Sequence, residues 1–356
     1  MNRIFNFSAG PAILPESVLD VTSKAVLEYK GLGMSIMEMS HRSKTIVSVF
    51  DEAKENCLKI AGLSADDYDV LFLQGGASTQ FALVALNFLK NSADYVNTGS
   101  WAKKAIKEAK MVGSVNVAGS SEDSNFNYIP KDLSLDENAD YLHVTSNNTI
   151  FGTRMKDFPE VEVPLVCDMS SDMFSRELDY SKFDLIYAGA QKNIGPSGAT
   201  LVILKKSFLA GRKEGLMTMF DYKTHADKDS MFNTPPVLSV FIMNETFKWI
   251  LENGLGKIEE INNRKAGKLY DYIDGNSDYY KATVSDKVDR SIMNVTFNLP
   301  NEELEKKFVV EATAKGLDGL KGHRSVGGIR ASIYNAFPEA GVDALIEFMD
   351  DFKKNN

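Results

Sequence analysis

Lys192 stands in a short turn between two apolar runs, an unusual place for an ammonium group. "FDLIYAG" precedes the turn and "ATLVIL" follows it, with "AQKNIGPSG" in between. The apolar runs predict two buried strands. A buried ammonium is costly unless its charge is neutralised or its nitrogen is used in chemistry. Lysine amines form Schiff bases with aldehydes, so Lys192 is the first candidate catalytic residue.

Further polar and glycine-rich stretches follow the other predicted strands. "GGAST" (75–79) follows "DVLFLQ", Trp101 follows "ADYVNTGS", Thr149 follows "YLHVTSNN", and Asp168 follows "VPLVC". In an open α/β sheet these positions share the edge where ligands bind. Taken singly, each has a structural explanation. "GGAST" could be only a turn, Trp101 a core aromatic residue and Asp168 a helix N-cap, and Thr149 alone indicates almost nothing.

As a set, these residues meet the requirements of pyridoxal phosphate. Lys192 would hold the aldehyde, Asp168 would keep the ring nitrogen protonated, and Trp101 would stack on the ring. Backbone N–H groups of "GGAST" at a helix N-terminus would suit the phosphate. A nucleotide-binding phosphate loop is the alternative, but "GAQKNIGPSG" lacks the Gly-Lys-Ser/Thr ending of that motif.

A second group of candidates is cationic. "MSHRSK" contains His41 and Arg42, and "GHRSVGGIR" contains His323, Arg324 and Arg330. A single His-Arg pair is usually a solvated surface feature. One carboxylate needs only one bidentate arginine, so two pairs and a further arginine predict a substrate with two anionic groups, one of which could be a phosphate.

Composition excludes other classes of function. The 356 residues carry a net charge of −9, which argues against nucleic acid as a partner. No apolar stretch approaches a membrane span, and the start of the chain has no signal-peptide pattern. The two cysteines, Cys57 and Cys167, predict neither a disulfide framework nor a metal site. We therefore expect a cytoplasmic enzyme that binds neither nucleic acid nor membrane.

The order of patterns predicts an α/β protein with a second, smaller domain. Residues 16–255 alternate short apolar strands with amphipathic helices, which predicts a mostly parallel sheet covered by helices on both faces. Residues 256–356 read as helices around two strands, which predicts a small C-terminal α+β domain. Residues 1–15 form an N-terminal segment.

Five stretches now identify a family. "FNFSAGPAILP", "MSHRSK", "GAQKNIGPSG", "NTPP" and "GHRSVGGIRASIYNA" together resemble the phosphoserine aminotransferases, fold-type I pyridoxal 5'-phosphate enzymes of the class V aminotransferase family. The resemblance covers the whole chain. It implies an aspartate aminotransferase-like fold whose large domain binds the cofactor. It further implies reversible transamination between L-glutamate and 3-phosphohydroxypyruvate, giving O-phospho-L-serine and 2-oxoglutarate in serine biosynthesis. Activity on a phosphorylated threonine precursor of pyridoxine stays open.

The resemblance also implies roles for individual residues. Lys192 would bind the cofactor's aldehyde, and Asp168 would contact its ring nitrogen. Trp101 would stack on the ring face, and Thr149 would bond the phenolic oxygen side. The phosphate would be bound by Ala77, Ser78 and Gln191. Asn233 and Thr234 of "NTPP" would reach the neighbouring subunit's cofactor phosphate, which implies a homodimer with shared sites. Lys192 would also move the substrate proton.

Substrate binding is implied in the same way. Arg330 would bind the α-carboxylate, while the distal phosphate or carboxylate would meet His41, Arg42, His323 and Arg324. The N-terminal segment would contribute to the active site. Some relatives have an arginine where this chain has Ser78, so the distal pocket would depend more on the His-Arg pairs.

Three rivals remain. A cysteine desulfurase of the same fold needs a reactive cysteine on a mobile loop, a placement that neither Cys57 nor Cys167 has in the sequence. A transaminase for small unphosphorylated acids, such as the alanine–glyoxylate type, would not need two His-Arg pairs. A non-catalytic protein that binds phosphorylated metabolites would explain the cations but not Lys192, Asp168 and Trp101 together.

Overall fold

The computed structural model describes residues 3–356. The strands are β1 (Phe5–Asn6), β2 (Tyr68–Leu73), β3 (Ser92–Asn97), β4 (Ser114–Ser120), β5 (Leu142–Thr145), β6 (Leu165–Asp168), β7 (Leu185–Gly189), β8 (Thr200–Lys205), β9 (Lys281–Ala282), β10 (Asn294–Asn298), β11 (Leu317–Asp318) and β12 (Ile329–Ser332). The α-helices are α1 (Glu16–Leu27), α2 (Lys44–Ala61), α3 (Gly76–Phe88), α4 (Ser100–Lys110), α5 (Lys206–Ala210), α6 (Tyr222–Ala226), α7 (Val237–Asn253), α8 (Leu255–Gly275), α9 (Glu302–Ala314) and α10 (Glu339–Asn355).

A seven-stranded sheet forms the centre of the large domain, with the order β2-β8-β7-β6-β5-β3-β4. Strand β8 runs antiparallel to both of its neighbours, and the other pairs are parallel. All residues of β5, β6 and β7 are buried, as expected for strands that helices cover on both faces. The predicted α/β fold with a mostly parallel sheet is confirmed.

Two apolar cores lie on the two faces of this sheet. One core contains Phe50 of α2 and Phe241 of α7, and the other contains Phe81 of α3 and Ile106 of α4. Helix α2 has clear boundary signals in the sequence. Its N-cap Ser43 accepts a hydrogen bond from a backbone N–H in the first turn, and Gly62 ends the helix in the left-handed conformation.

The C-terminal part has a core of its own. Helices α8, α9 and α10 pack against a three-stranded antiparallel sheet, β12-β10-β9, around residues such as Leu269, Phe308 and Phe348. Helix α7 ends at Asn253 and α8 begins at Leu255. These separate cores support the predicted division of the chain into residues 16–255 and 256–356, which we retain as a proposal.

The N-terminal segment connects the small domain with the Lys192 turn. Strand β1 pairs in parallel with β11, and Phe7 is part of the C-terminal core. Farther along, the Ala12 N–H donates to the Gln191 carbonyl at 2.9 Å, next to Lys192. This path supports the predicted contribution of residues 1–15 to the active site, of which residues 1 and 2 lie outside the described range. Within that range, no helix is both long and apolar enough to cross a membrane.

Candidate active site

The candidate site lies at the carboxyl edge of the large sheet. Parallel pairing aligns Thr145 of β5 with Asp168 of β6, and Asp168 with Tyr187 of β7. Beyond β7 the chain turns, and the Lys192 N–H donates to the Ala190 carbonyl at 2.8 Å. The predicted strands therefore bring Asp168 and Lys192 to the same edge.

The Lys192 amine is positioned by a hydroxyl and influenced by two charges. Its Nζ donates to Thr149 Oγ1 at 2.8 Å. Burial lowers the pKa of Lys192, the negative charge of Asp168 opposes this effect, and the positive charge of Arg330 adds to it; together they bring the pKa to about 8. Near neutral pH the enzyme therefore has far more neutral Lys192 amine than a solvated lysine would provide.

Asp168 is the buried acid of the site, with 4% of its surface exposed. The Ser170 N–H donates to its Oδ1 at 2.9 Å, which fixes the orientation of the carboxylate. Burial raises the pKa of Asp168, whereas the positive charge of Lys192 lowers it. No donor within residues 3–356 forms a hydrogen bond with Oδ2, so this oxygen can accept a hydrogen bond from a ligand.

Trp101 lies in the first turn of α4, after β3. Its ring centroid is 5.7 Å from Lys192 Nζ, so the aromatic ring and the amine border the same space. The indole Nε1 is buried and has no hydrogen-bond partner within the described chain. Buried indole N–H groups usually have a partner, so a ligand with an acceptor group is expected here.

The glycine-rich turn opens α3 as predicted. Gly75 adopts a φ of +96°, and a Cβ atom there would lie 2.0 Å from Thr79 Oγ1, so only glycine fits. Ala77 and Ser78 follow in the first helical turn, where backbone N–H groups lack intrahelical acceptors. This helix start is suited to a phosphate.

Arg330 is a cation whose charge acts on Lys192. It lies on β12 of the small domain, and its Nη1 is 3.4 Å from the Thr149 carbonyl oxygen. Its Nε is buried without a partner in the described residues. Since Thr149 also contacts Lys192, the three residues form one group, and the guanidinium is placed to bind a carboxylate close to the reacting carbon.

His323 and Arg324 lie on the loop that precedes β12. Burial and the positive charges of Arg330, Arg324 and Lys104 all lower the pKa of His323. The direction of these effects indicates that His323 shares one electrostatic environment with the three cations Arg330, Arg324 and Lys104. A bound anion would relieve their mutual repulsion, and this relief favours an anionic ligand at the loop.

The remaining predicted residues lie outside this group in a single chain. His41 has a buried Nε2 without a partner in the described chain, and Arg42 is exposed. Asn233 and Thr234 are exposed, and the Thr234 carbonyl accepts from Gln74 Nε2 at 3.1 Å. No hydrogen bond or ion pair among residues 3–356 joins these four residues to Lys192.

Sequence reasoning missed a buried polar group beneath the site. Ser146 donates from its hydroxyl to Asp172 and to the Asp168 carbonyl, and Arg176 lies 3.8 Å from Asp172. The four-residue spacing of Asp172 and Arg176 in "DMSSDMFSR" was the available signal. This group supports the backbone at the end of β6, from which Asp168 projects.

Both cysteines are inert in this fold. Cys57 lies in α2 and Cys167 in β6, and both are free and buried. Burial raises the pKa of each thiol, which disfavours the reactive thiolate. The cysteine desulfurase alternative is therefore excluded by the placement of the cysteines.

The geometry defines a lysine-based site at the edge of a fold-type I sheet, and comparison with known proteins identifies the class. The model of the family "Aminotransferase class-V" matches residues 4–345, so the chain belongs to that family, which uses pyridoxal phosphate. A curated relative from Desulfatibacillum aliphaticivorans, named phosphoserine aminotransferase, is 56% identical over 100% of this chain and 99% of its own.

Solved structures agree with this assignment. The phosphoserine aminotransferase from Bacillus circulans subsp. alkalophilus superposes with a TM-score of 0.97 at 50% identity, covering 99% of both chains. The structure of a PLP-bound phosphoserine aminotransferase from Trichomonas vaginalis matches with a TM-score of 0.92 at 36% identity, covering 98% of this chain and 100% of the other. The predicted family and fold type are confirmed.

The residues present fit the cofactor. The site offers an amine of lowered pKa, a buried carboxylate with a free oxygen, an aromatic face and the start of a helix for a phosphate. The unpartnered Trp101 Nε1 is a further group that a ligand could satisfy. This donor set matches the parts of pyridoxal phosphate one by one.

Proposed function

We propose that the protein transfers the amino group of L-glutamate to 3-phosphohydroxypyruvate, giving O-phospho-L-serine and 2-oxoglutarate. The observation that carries this proposal is the separation of cations into two ends. Arg330 adjoins Lys192 through Thr149, whereas His323 and Arg324 lie on the adjacent loop. Glutamate and phosphoserine each have an α-carboxylate and a distal anion, so both fit a two-ended pocket. The full-length similarity to phosphoserine aminotransferases supports the same substrates.

Lys192 would carry the proton chemistry. Lys192 Nζ would accept the proton of the substrate's Cα and pass it to the carbon that comes from the cofactor's aldehyde, because a return to Cα would give no net transfer. A pKa of about 8 suits a group that must accept and release a proton near neutral pH. Thr149 would orient the amine through the hydroxyl at 2.8 Å. Ala190 holds the turn, so the amine moves on a fixed backbone.

Asp168, Trp101 and Arg330 would position the reactants. When bound, pyridoxal phosphate supplies an aldehyde for the amino group and a conjugated ring that accepts electron density. The negative charge of Asp168 would keep the ring nitrogen protonated. Trp101 would stack on the ring face and exclude water. Arg330 would orient the Cα–H bond toward Lys192 by fixing the α-carboxylate. Ala77, Ser78 and Gln191 would bind the phosphate.

A comparison of amino donors tests this function. The purified holoenzyme should use O-phosphoserine and glutamate in a coupled assay with at least about tenfold higher kcat/KM than alanine, because each charge-assisted contact is worth about 1.5–3 kcal/mol. Aspartate has a shorter side chain, so its kcat/KM should lie between that of glutamate and that of alanine. Equal use of alanine would instead favour a transaminase for small unphosphorylated acids.

We further propose a homodimer with shared active sites. His41 and Thr234 line one surface cavity of about 520 Å³, and Asn233 lines a second of about 360 Å³. The two cavities meet at Pro235 and Pro236, which line both. His41 and "NTPP" thus line adjoining cavities, and Arg42 follows His41 in the chain, so a partner's site could receive all of them together.

Exposed apolar side chains surround the same cavities. Met37, Met219 and Phe220 are 55%, 42% and 42% exposed, and each lines one of the two cavities. Exposed apolar patches of this kind mark protein interfaces. An isologous dimer would cover the patch and would bring His41, Arg42, Asn233 and Thr234 to the partner's cofactor.

Mixed dimers test the shared site. Lys192→Ala and the double variant Asn233→Ala/Thr234→Ala should each be inactive alone at low cofactor concentration. When they are unfolded and refolded together, random pairing makes about half of the dimers mixed and leaves roughly a quarter of all sites intact. Activity should therefore reappear. No recovery despite confirmed heterodimers would mean that "NTPP" serves its own chain.

We also propose a cytoplasmic location. The two free, buried cysteines support a reducing compartment. Fractionation of cells that produce the protein should recover the activity in the cytoplasmic fraction.

A further inference from the structure

The loop that carries His323 and Arg324 has a tight neck. The Gly322 N–H donates to the Gly328 carbonyl at 2.9 Å, and a Cβ atom on Gly322 would lie 1.9 Å from the Gly327 carbonyl oxygen. Gly328 has a φ of +68°, and a Cβ atom there would lie 2.8 Å from the Phe297 carbonyl oxygen. We call residues 322–328 the anion loop. The neck, formed by Gly322 and Gly328, has no space for a side chain at either position.

The tip of the anion loop is bonded mainly to itself. The Val326 and Gly327 N–H groups both donate to the His323 carbonyl at 2.9 Å, and His323 Nδ1 is 2.7 Å from Ser325 Oγ. A cavity of about 850 Å³ lies between the loop and α9. The tip is therefore not packed on α9. Val326 instead packs against Phe126, Ile150 and Phe151 of the large domain, so on the side of α9 the loop that carries His323 and Arg324 is held at its neck.

Glu305 of α9 fastens this neck to the end of β10. Its Oε2 accepts from the Gly328 N–H at 3.0 Å, and its Oε1 accepts from Asn298 Nδ2 at 3.1 Å and from the Leu299 N–H at 3.3 Å. One carboxylate thus joins the loop to the sheet through three hydrogen bonds. Such bonds to a charged acceptor are stronger than neutral ones.

We propose that Glu305 is a positioning residue that holds His323 and Arg324 in place for the distal anion of the substrate. The inference rests on the proposed function, because it assumes that these cations bind that anion. Glu305 does not itself contact the substrate. Its negative charge lies at the neck, while the cations project from the tip.

The proposal makes a selective kinetic prediction. Glu305→Ala should raise KM for O-phosphoserine about tenfold, with kcat changed less than about twofold, because the cations lose their alignment while the reacting groups do not. Residual activity on alanine, which has no distal anion, should stay within about twofold of the parent. Glu305→Gln keeps one acceptor oxygen, so its KM for O-phosphoserine should lie between that of the parent and that of Glu305→Ala.

A matched control separates positioning from general destabilisation. Glu303 is an exposed carboxylate on the same helix with no hydrogen bond or ion pair in the described chain, so Glu303→Ala should match the parent. In the holoenzyme, hydrogen exchange of Glu305→Ala should rise in the peptide that spans 322–328 and not in the peptide that spans 142–149. Equal increases of KM for alanine and phosphoserine would overturn the proposal, since Glu305 would then support β12 and Arg330 as a whole.

Arg324→Ala distinguishes failure of this inference from failure of the proposed function. If Arg324→Ala weakens phosphoserine selectively while Glu305→Ala does not, the positioning role is wrong and the two-ended pocket stands. If Arg324→Ala has no selective effect, the distal pocket is wrong and the role of Glu305 falls with it. If both hold, the double variant should lose less than the product of the two single losses, because Glu305 acts in part through Arg324 and residues that act through one another are not additive.

Discussion

Lys192 and Arg324 are both cationic and are assigned to the same site, yet the chain holds them in different ways. Lys192 lies in a turn between two buried strands, and its amine donates to a neighbouring hydroxyl. Arg324 is exposed at the tip of a loop over an open cavity. The buried edge is preorganised for steps that every amino donor shares. The exposed loop and the proposed dimer face are suited to discriminating among amino donors, because they would contact the distal group of the donor.

Removing Lys192 should have the largest effect. Lys192→Ala should reduce turnover by more than about 10⁴-fold, because the chain loses both the amine that holds the aldehyde and the group that moves the proton. The fold should remain, since the turn backbone is held by its own hydrogen bonds. Turnover measurements on the pure variant check the first point, and circular dichroism checks the second.

Borohydride trapping provides the control for this variant. In the parent, reduction should attach the cofactor covalently to the peptide that contains Lys192, and the variant should yield no such peptide. Attachment to any other lysine would contradict the assignment of the buried edge.

Asp168→Asn should have the next largest effect. The amide keeps the shape and the Ser170 contact but carries no charge to keep a ring nitrogen protonated, so kcat should fall by about 10²–10³-fold, the scale of a lost electrostatic contact in an active site. Cofactor binding, measured by equilibrium dialysis, should change less than kcat.

Asp172 is the matched comparison for Asp168. It is also buried, but its carboxylate already accepts from Ser146 and lies 3.8 Å from Arg176. Asp172→Asn should therefore lower stability more than kcat. If Asp168→Asn stayed within about tenfold of the parent, roughly 1.4 kcal/mol of barrier, Asp172 would become the better candidate for the catalytic acid.

Arg330→Ala and Arg42→Ala should affect different sets of amino donors. They therefore test the distinction between the end of the pocket that binds the α-carboxylate and the end that binds the distal anion. Losing Arg330 should lower kcat/KM about 10–100-fold for every amino donor, since all have an α-carboxylate. Losing Arg42 should lower it by about tenfold for phosphoserine and glutamate, and scarcely at all for alanine. Steady-state kinetics with three donors measures both patterns. Equal losses across the donors for both variants would remove the distinction between the ends.

The two regions also differed in how far sequence could predict them. The apolar runs around Lys192 predicted both strands, because burial on two faces leaves a continuous hydrophobic signal. The sequence analysis did not predict the antiparallel direction of β8, although residues 190–199 are too few for the crossover helix that a parallel pair requires. These features depend on local patterns.

The supporting contacts were not predictable, because they depend on tertiary register. Nothing local pairs Ser146 with Asp172 or joins Glu305 to the Gly328 N–H. The roles of Asn233 and Thr234 depend on a surface between two chains, and a single sequence has no local pattern for such a surface. Their assignment came from family resemblance and remains a prediction.

The smallest expected effect is a shift in the titration of Lys192. In the cofactor-free enzyme its pKa of about 8 means that about half of the amine is neutral at pH 8, whereas a lysine with the usual value of 10.5 would be almost wholly protonated. Acylating reagents react with the neutral amine, so acetylation of Lys192, followed by mass spectrometry, should show a midpoint near pH 8.

Two variants should move this midpoint in opposite directions. Arg330 lowers the pKa of Lys192 by charge repulsion, so Arg330→Ala should raise the midpoint and slow acetylation at pH 8. Asp168 raises the pKa by attraction, so Asp168→Asn should lower the midpoint and speed acetylation at pH 8. Glu303→Ala, far from any charge that acts on Lys192, serves as the control. A midpoint near 10.5, or shifts of the same sign in both variants, would mean that burial and the two neighbouring charges do not tune the amine, and that the buried edge is less preorganised than its geometry implies.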